Sequence, residues 1–220
     1  MSNRWALLFV MTHIAGFGGA ATAQTLDQQQ ECPAPDPDVS ISGCTALIQS
    51  GHETQQKLPI DFYNRGLAYL LKDQYDRSIE DFDQAIRLNP NYDLAFKVRG
   101  NVYLSEGQYD RAIEDFGHVI AINPNDAWAF VGRGGAYFGK GVVACRPASL
   151  PPCALATAQY DRAIEDFDQT IRLNPNDAAA ASAYGQRSVI KSAKGDFVGG
   201  AADLAKAQQL SNLLNPSVGK

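Results

Sequence analysis

The sequence YDRSIEDFDQAIRLNPN at residues 75–91 decides the fold, because it occurs three times in a chain of 220 residues. The copy at residues 160–176 differs only by an alanine in place of Ser78 and a threonine in place of Ala85. A more distant copy, YDRAIEDFGHVIAINPN, occupies residues 109–125. One block used three times predicts a repeat architecture, in which each copy buries its core against its neighbours.

The spacing of the copies gives the period and one exception to it. Gly66 and Gly100 occupy the same place in successive copies and are 34 residues apart. By contrast, Pro124 and Pro175 close the second and third blocks and are 51 residues apart, which is one period plus 17. We therefore predict an insertion of about 17 residues in the third copy, near residues 142–158.

Each copy contains two segments with helical periodicity. In the block, Ile79, Phe82 and Ile86 recur at i, i+3 and i+7, which places them on one face of a helix. A second segment precedes each block and reads FYNRGLAYL at residues 62–70 in the first copy. Each block ends in Asn-Pro, as at Pro90, because proline disfavours helical geometry in the residue before it. Each copy is therefore predicted to be a pair of helices.

The slots that recur in these helices resemble those of the tetratricopeptide repeat family, whose period is also 34 residues. They comprise a small residue and a tyrosine in the first helix, then a small residue, an aromatic residue and a closing proline in the second. In order of slot they are Gly66, Gly100 and Gly134; Tyr69, Tyr103 and Tyr137; Ser78, Ala112 and Ala163; Phe82, Phe116 and Phe167; and Pro90, Pro124 and Pro175. The resemblance implies an all-α superhelical solenoid of helix hairpins.

The domain organisation follows from the register of the copies. Ser40 and Cys44 fit the small and aromatic slots of a second helix alone, so we predict a capping half-repeat before the array. A fourth copy has Ser188 in place of glycine and Leu204 in place of phenylalanine, as expected of a degenerate terminal repeat. The predicted segments are a signal peptide (1–23), a flexible tail (24–38), the half-repeat (39–58), three repeats (59–92, 93–126 and 127–177, the last with the insertion 142–158), a degenerate fourth repeat (178–214) and a C-terminal tail (215–220).

The N-terminus has the pattern of a secretory signal peptide. Arg4 provides a positive start, residues 5–17 are apolar, and Ala21-Thr22-Ala23 forms an A-x-A site with cleavage expected before Gln24. The alternative is a short membrane anchor, but the apolar run is shorter than a bilayer span requires. We therefore predict an exported protein of the bacterial periplasm, with no integral membrane span after signal removal.

Four cysteines in an oxidising compartment are expected to pair, and three pairings are possible. We predict that Cys32 pairs with Cys44 and that Cys145 pairs with Cys153, because both pairs are local in sequence. No histidine neighbours either pair and no C-x-x-C spacing occurs, so we predict neither a metal site nor a catalytic redox site.

Charge and composition exclude several classes of function. The formal net charge is −5, so the chain lacks the excess of basic residues that is typical of a protein that binds DNA or RNA. The sequence shows no Ser-His-Asp arrangement, no nucleotide-binding glycine loop and no cluster of metal ligands, so we predict no catalytic residues, no cofactor and no enzymatic activity. Adjacent acids such as Glu80 and Asp81 diverge by about 100° on a helix and do not converge on one substrate atom.

An arginine recurs beside the packing glycine of each copy, at Arg65, Arg99, Arg133 and Arg187. One interpretation is a row that binds a carboxylate ligand. The interpretation that we favour is an ion pair with the acidic face of the neighbouring helix, for example between Arg99 and Asp115 or Glu114, worth under about 1 kcal/mol if exposed.

The family resemblance implies that the first helix of each copy lines a concave groove. The predicted peptide-binding residues are Ile60, Tyr63, Asn64, Leu67, Lys97, Asn101, Trp128 and Val131, with Leu70, Leu71, Leu94, Val98, Leu104, Gly135 and Phe138 nearby. Tyr63 and Trp128 are the predicted anchors, since aromatic residues dominate binding hot spots. The alternative is that some of these residues are covered by the N-terminal segment or by the fourth copy.

Members of the family that bind chaperones grip a terminal carboxylate with a clamp of lysines and asparagines. Lys97 and Asn101 match its first pair, but Gly132 replaces the next asparagine and the fourth copy lacks the expected lysine and arginine. The clamp is therefore broken, and its activity is not expected here.

These observations predict an exported, non-enzymatic module that binds a peptide or an amphipathic helix in an apolar groove, as a scaffold or adaptor of the cell envelope. The alternatives are a self-associating structural protein, in which a homo-oligomer forms, and an accessory subunit of a cell-wall enzyme. The insertion at residues 142–158 is either a specificity element or a neutral addition at a helix–helix turn.

Overall fold

The computed structural model describes residues 32–144 and 154–214. The predicted signal peptide, most of the predicted N-terminal tail, the C-terminal tail and both Cys145 and Cys153 lie outside the described residues. The described residues fall into two compact units, which divide between Val102 and Tyr103.

In its described parts the chain forms nine helices and no strand, which confirms the predicted all-α fold of helix hairpins. The helices are α1 (Pro37–Ser50), α2 (Leu58–Leu71), α3 (Tyr75–Leu88), α4 (Asp93–Ser105), α5 (Tyr109–Ile122), α6 (Ala127–Ala144), α7 (Ala154–Leu173), α8 (Ala178–Ala193) and α9 (Phe197–Leu214). The hairpins α2–α3, α4–α5, α6–α7 and α8–α9 coincide with the four predicted copies, and α1 is the single helix at the position of the half-repeat.

Aspartates begin the first helix of three hairpins. The Oδ1 atom of Asp126 accepts the backbone N–H of Ala129 at 3.0 Å, and Oδ1 of Asp177 accepts that of Ala180 at 2.8 Å. In the second hairpin, Oδ1 of Asp93 accepts the N–H of Leu94. These bonds satisfy N–H groups that have no partner within the helix, and the carboxylates also complement the helix dipole.

Close contact within a hairpin depends on glycine. A Cβ atom on Gly66 would lie 2.8 Å from Cε1 of Phe82, so only glycine lets α2 approach that ring. Ser78 of α3 also donates its hydroxyl to the carbonyl oxygen of Gly66 at 2.8 Å. The same glycine thus faces both recurring slots of the second helix.

Phenylalanine also fills the space between successive hairpins. In the second unit, a Cβ atom on Gly132 of α6 would lie 2.4 Å from Cζ of Phe116 on α5. Phe82, Phe116 and Phe167 are almost completely buried and are among the largest side chains removed from water. Each repeat is therefore stabilised by its own hairpin and by contact with the next.

Both described flanks of the insertion are helical. Helix α6 continues to Ala144 and α7 begins at Ala154, so the described flanks of residues 142–158 are helical. A Cβ atom on Gly141 would lie 2.7 Å from Cε1 of Tyr160, so the two helices approach each other closely at the base of the insertion. The third hairpin is thus lengthened, with only residues 145–153 outside the description.

The N-terminal segment also differs from its predicted bounds. Helix α1 begins at Pro37, inside the predicted tail, because Asp36 caps it by accepting the N–H groups of Asp38 and Val39. Cys32 and Cys44 are joined by a disulfide, and Cys44 is completely buried in the slot that phenylalanine occupies in the repeats. At the other end of the array, α8 begins at Ala178 and α9 ends at Leu214, within the residues given to the fourth repeat.

Candidate functional site

The first unit presents an apolar stripe on α2. Ile60, Asn64, Leu67 and Leu71 recur at i, i+4, i+7 and i+11, which places them on one face of the helix. Ile60 is 45% exposed and Leu71 is 49% exposed, whereas Asn64 and Leu67 are half-buried. Large aliphatic side chains left this open on a packed helix are candidates for contact with a partner.

Helix α4 continues this surface within the same unit. Leu94 is 43% exposed, and Lys97 and Asn101 follow it on the same side of the helix. Helices α2 and α4 share one hydrophobic core, in which Tyr63 and Val98 are buried. We refer to Ile60, Asn64, Leu67, Leu71, Leu94, Lys97 and Asn101 as the first-unit surface.

Tyr63, one of the two predicted anchors, is a core residue. Its ring centroid lies 5.8 Å from that of Phe82 and 5.2 Å from that of Tyr92, and its side chain is buried. Burial raises the pKa of Tyr63, and the neighbouring Tyr92 and Asp93 raise it further. Tyr63 therefore lies in the core beneath the first-unit surface and is not one of its exposed residues.

Lys97 and Asn101 are held in place by their own helix. Nζ of Lys97 lies 3.9 Å from Oδ2 of Asp93, and Nδ2 of Asn101 donates to the carbonyl oxygen of Lys97 at 3.0 Å. The amide of Asn101 is therefore engaged with the backbone of α4. In the second unit, Gly132 occupies the next asparagine position of the clamp, and Phe116 fills the space beside it.

The second unit also presents a surface on α6, but its apolar side chains are less exposed than those of the first-unit surface. Trp128, Gly135 and Phe138 are half-buried, and Val131 is buried in the core that α6 shares with α7 and α8. A Cβ atom on Gly135 would lie 3.2 Å from Oε1 of Gln186 and 3.7 Å from Cδ2 of Leu104. The side chains of Gln186 and Leu104 therefore lie beside Gly135, which has no side chain of its own. Val131, like Tyr63, belongs to the core, and Trp128 packs partly against it.

Arg65 and Arg187 form ion pairs with buried aspartates within their hairpins. Arg65 donates from Nε and Nη2 to the two carboxylate oxygens of Asp81, at 2.8 and 2.7 Å. Arg187 forms the same paired contact with Asp203, at 2.7 and 2.6 Å. Asp81 and Asp203 are buried, so these are not the exposed pairs that the sequence suggested. The arginines brace the hairpins and do not form a free row for a carboxylate ligand.

A second set of contacts links Arg65, Arg99 and Arg187 to the preceding second helix. Arg99 pairs with Asp83 of α3, and Arg187 pairs with Asp168 of α7. Arg65 instead donates from Nη1 to the hydroxyl of Thr45 on α1 at 3.1 Å. Thr45 follows Cys44 as Asp83 follows Phe82. This contact shows that α1 docks on α2 as a second helix docks on the next repeat.

Aromatic rings and charges fix the orientation of the arginines. The guanidinium of Arg65 lies 5.5 Å from the ring centroid of Phe62, and the guanidinium of Arg187 lies 5.2 Å from the ring centroid of Tyr184.

Burial raises the pKa of Asp203, but hydrogen bonds from Arg187 and Lys191 together lower it below its ordinary value. For Asp166, burial raises the pKa more than the hydrogen bonds from Arg133 lower it.

A pocket that the sequence did not indicate lies in the second unit. It has a volume of about 410 Å³ and lies between the start of α5 and the end of α6. Its lining consists of Gly107, Gln108, Tyr109, Asp110, Arg111, Lys140, Val143 and Ala144. Lys140 pairs with Asp110 and Arg111 donates to Gln108, so the polar groups of the pocket bond to one another. No sequence pattern marked it, because it depends on the helical extension of α6 into the insertion.

In residues 32–144 and 154–214 there is no group of three or more metal-ligating side chains. None of the helices in these residues is long and apolar enough to cross a bilayer.

Comparison with protein families gives two matches along the array. A profile described as Tetratricopeptide repeat matches residues 61–92, and one described as TPR repeat matches residues 100–141. No curated protein sequence matches the chain.

Solved structures of the same fold cover most of the chain. MamA from Desulfovibrio magneticus RS-1 superposes with a TM-score of 0.65 at 22% identity, over 81% of this chain and 87% of that one. TTC0263, a thermophilic TPR protein of Thermus thermophilus, gives a TM-score of 0.58 at 18% identity, over 76% and 84% of the two chains.

A third similar structure contains a bound peptide. The second TPR domain of human RPAP3, in complex with the HSP70 peptide SGPTIEEVD, gives a TM-score of 0.51 at 22% identity, over 63% of this chain and 98% of that one. The two profile matches, the recurring slots and the helix-hairpin fold together identify this chain as a member of the tetratricopeptide repeat family.

Proposed function

We propose that this chain is an exported, non-enzymatic protein–protein interaction module that binds an apolar peptide segment or an amphipathic helix on its first-unit surface. The observation that carries the proposal is the exposure of Ile60, Leu71 and Leu94 on adjacent first helices. An amphipathic helix or extended peptide uses such aliphatic surfaces, with anchors spaced along one face.

The chemistry of the surface favours an aliphatic partner over a charged chain end. Asn101 is engaged with the backbone of α4, and Lys97 already lies near Asp93. The RPAP3 domain binds a peptide that ends in Glu-Glu-Val-Asp, but this chain lacks the later residues of a carboxylate clamp. We therefore expect recognition of apolar side chains inside a partner sequence.

Site-directed photocrosslinking tests this proposal. A benzophenone amino acid would be placed at Leu71 or at Leu94 in the otherwise intact chain, expressed in its native host. We expect both positions to crosslink the same partner, because both lie on the first-unit surface.

Leu88 provides the matched control, since it is 41% exposed but lies at the end of α3, a second helix. Equal crosslinking from Leu88 would show that the partner does not distinguish the first-unit surface from other apolar exposure. The Leu94→Asp variant should also lose the partner in a pull-down while Leu88→Asp retains it.

Export is a separate part of the proposal and has its own test. The support is the sequence pattern of Arg4, the apolar run at residues 5–17 and the small residues Ala21 and Ala23. Mass spectrometry of the protein isolated from its native host should give an N-terminus at Gln24. A chain that retains Met1 would contradict signal cleavage while leaving the interaction surface unaffected.

Self-association is the second candidate function, and α9 supplies the observation that favours it. Phe197 is 71% exposed, Val198 is 84% exposed and Leu204 is 48% exposed. Leu204 occupies the slot in which Phe82 and Phe167 are completely buried. Light scattering over a range of concentrations tests this alternative, since a strictly monomeric chain at high concentration would exclude it.

A further inference from the structure

Asp61 occupies a position that alanine fills in every other hairpin. The equivalent residues, four positions before the recurring arginine, are Ala95, Ala129 and Ala183, and all three are completely buried. Asp61 is also buried, with 6% of its surface exposed. The first hairpin therefore places a carboxyl group where its siblings place a methyl group.

This carboxyl group lacks the hydrogen bonds that a buried charge requires. Within residues 32–144 and 154–214, Oδ2 of Asp61 has no hydrogen-bond partner. The other oxygen, Oδ1, lies 3.8 Å from Sγ of Cys32. Because that sulfur belongs to the disulfide with Cys44, it carries no proton to donate. A buried carboxylate in this state destabilises the contact that buries it, whereas a protonated carboxyl costs much less.

The charges near Asp61 do not compensate it. The pKa of Asp61 is raised to about 6, mainly by burial and also by Glu53, while Lys57 opposes the rise. On α1 the only ionisable side chain is Asp38, which pairs with Lys72, the residue that follows α2. His52 follows α1, is exposed, and donates its backbone N–H to the hydroxyl of Ser50.

Helix α1 is held to the first hairpin without a covalent link. The disulfide joins two residues of the N-terminal segment itself, and neither cysteine is covalently bonded to α2. Contacts between the N-terminal segment and the first hairpin include the ion pair of Lys72 with Asp38, the hydrogen bond from Arg65 to Thr45, and the burial of Cys44. If α1 left α2 with its disulfide, Asp61 would be exposed to water.

We propose that Asp61 makes the docking of the N-terminal half-repeat dependent on pH, so that α1 is held more tightly under acidic conditions and is released more readily at neutral pH. The docked state binds a proton more strongly than the undocked state, in which the carboxyl is solvated and has its ordinary pKa of 3.8. Docking strength is therefore highest below about pH 4, falls as the pH rises through about 6, and is constant above that range.

Hydrogen exchange with mass spectrometry measures this opening. The full mature chain would be compared at pH 5 and pH 7.5, and protection factors for α1 would remove the intrinsic pH dependence of exchange. We expect the protection of α1 to fall by about tenfold between the two values in the natural chain.

Two variants make the measurement specific. Asp61→Asn removes the charge at nearly constant shape, and Asp61→Ala installs the residue of the sibling hairpins. Both keep every other ionisable group near α1, so any pH dependence that remains does not come from Asp61. We expect both to protect α1 at pH 7.5 at least as well as the natural chain does at pH 5, with little change between the two values.

A tenfold fall in both variants as well would overturn the proposal, because another group would then control α1. The proposal would also be overturned if the protection of α1 in the natural chain did not change with pH. Protection of the α2–α3 hairpin serves as the internal reference, since loss of protection there would show global and not local opening.

Discussion

Arg133 and Asp166 are joined across the third hairpin by two hydrogen bonds, at 2.9 Å from Nε to Oδ2 and 2.7 Å from Nη2 to Oδ1. They are 33 residues apart in sequence, whereas the equivalent Arg65 and Asp81 are 16 apart. The insertion doubles the separation along the chain and leaves the pairing unchanged. The hairpin geometry is therefore fixed by contacts between the helices, and the length of the connection has little influence on it.

These pairs predict a large loss of stability when the buried aspartate is removed. The Asp81→Ala substitution leaves Arg65 without its charged partner, so we expect a loss of about 2–4 kcal/mol in the free energy of unfolding. Asp83→Ala is the matched control, since Asp83 is exposed and pairs with Arg99, and should cost less than about 1 kcal/mol. Urea denaturation followed by circular dichroism measures both, and equal losses would refute the distinction between buried and exposed pairs.

A methyl group should have opposite effects at two glycines. We expect Gly66→Ala to destabilise the chain by about 1–3 kcal/mol, because the new Cβ would lie 2.8 Å from the Phe82 ring. Gly117→Ala meets nothing within 4 Å and lies inside α5, so it should stabilise the chain by up to about 1 kcal/mol. Thermal unfolding of the two variants decides the matter. Stabilisation by Gly66→Ala would show that the Phe82 ring moves aside at little cost.

The peptide SGPTIEEVD, which RPAP3 binds, should bind this chain weakly or not at all. Only Lys97 and Asn101 match the clamp, and Gly132 occupies the position of its next asparagine. We also expect Gly132→Asn to destabilise the second unit without creating binding, because Phe116 fills the space for its side chain. Titration calorimetry tests both statements, with an amidated peptide as control. Tight binding that depends on the free carboxylate would show that a different clamp exists.

Deletion of residues 142–158 should leave a folded array. It would join Gly141 to Gln159 and produce Lys-Gly-Gln-Tyr, close to the Glu106-Gly107-Gln108-Tyr109 turn of the second copy. Gly107 adopts a φ of +73°, and Gly141 can adopt the same conformation without strain. We expect the free energy of unfolding to change by less than about 2 kcal/mol, within the usual range for single-site changes. Loss of cooperative unfolding would show that the helical flanks are essential to the third hairpin.

The same deletion also tests whether the insertion contributes to binding. If the photocrosslinks from Leu71 and Leu94 persist in the deletion variant, the partner is recognised without the insertion. If they vanish while helicity is retained, residues 142–158 carry specificity.

The helix hairpins could be predicted from sequence because their signals are local and occur several times. Ile79, Phe82 and Ile86 mark one helical face, and the Asn-Pro pairs mark where second helices end. Because each slot recurs, the copies can be aligned with one another in the way that related sequences are aligned. That internal alignment allows the pairing of Gly66 with Phe82 to be predicted. The helix bounds at the two ends of the array were harder to predict, because the fourth copy and the half-repeat have fewer matching slots.

The exposure of individual groove residues could not be obtained in this way. The helical position of Tyr63 gave its face, but its burial depends on the rings of Phe82 and Tyr92 and on how closely α4 approaches. The partners of the arginines also required three-dimensional geometry, since Arg65 contacts both Asp81 of α3 and Thr45 of α1. The burial of Asp61 was missed for a similar reason, because an aspartate at the start of a helix resembles an ordinary solvated acid.

The lengthened third hairpin has a practical consequence for protein engineering. Helices α6 and α7 extend past the turn that the second hairpin uses and approach each other closely through Gly141 and Tyr160. Gly141 and Tyr160 therefore form the closely packed base of a helical stem that ends at Ala144 and Ala154, on which a foreign loop could be grafted and displayed without disturbing the repeats beneath it.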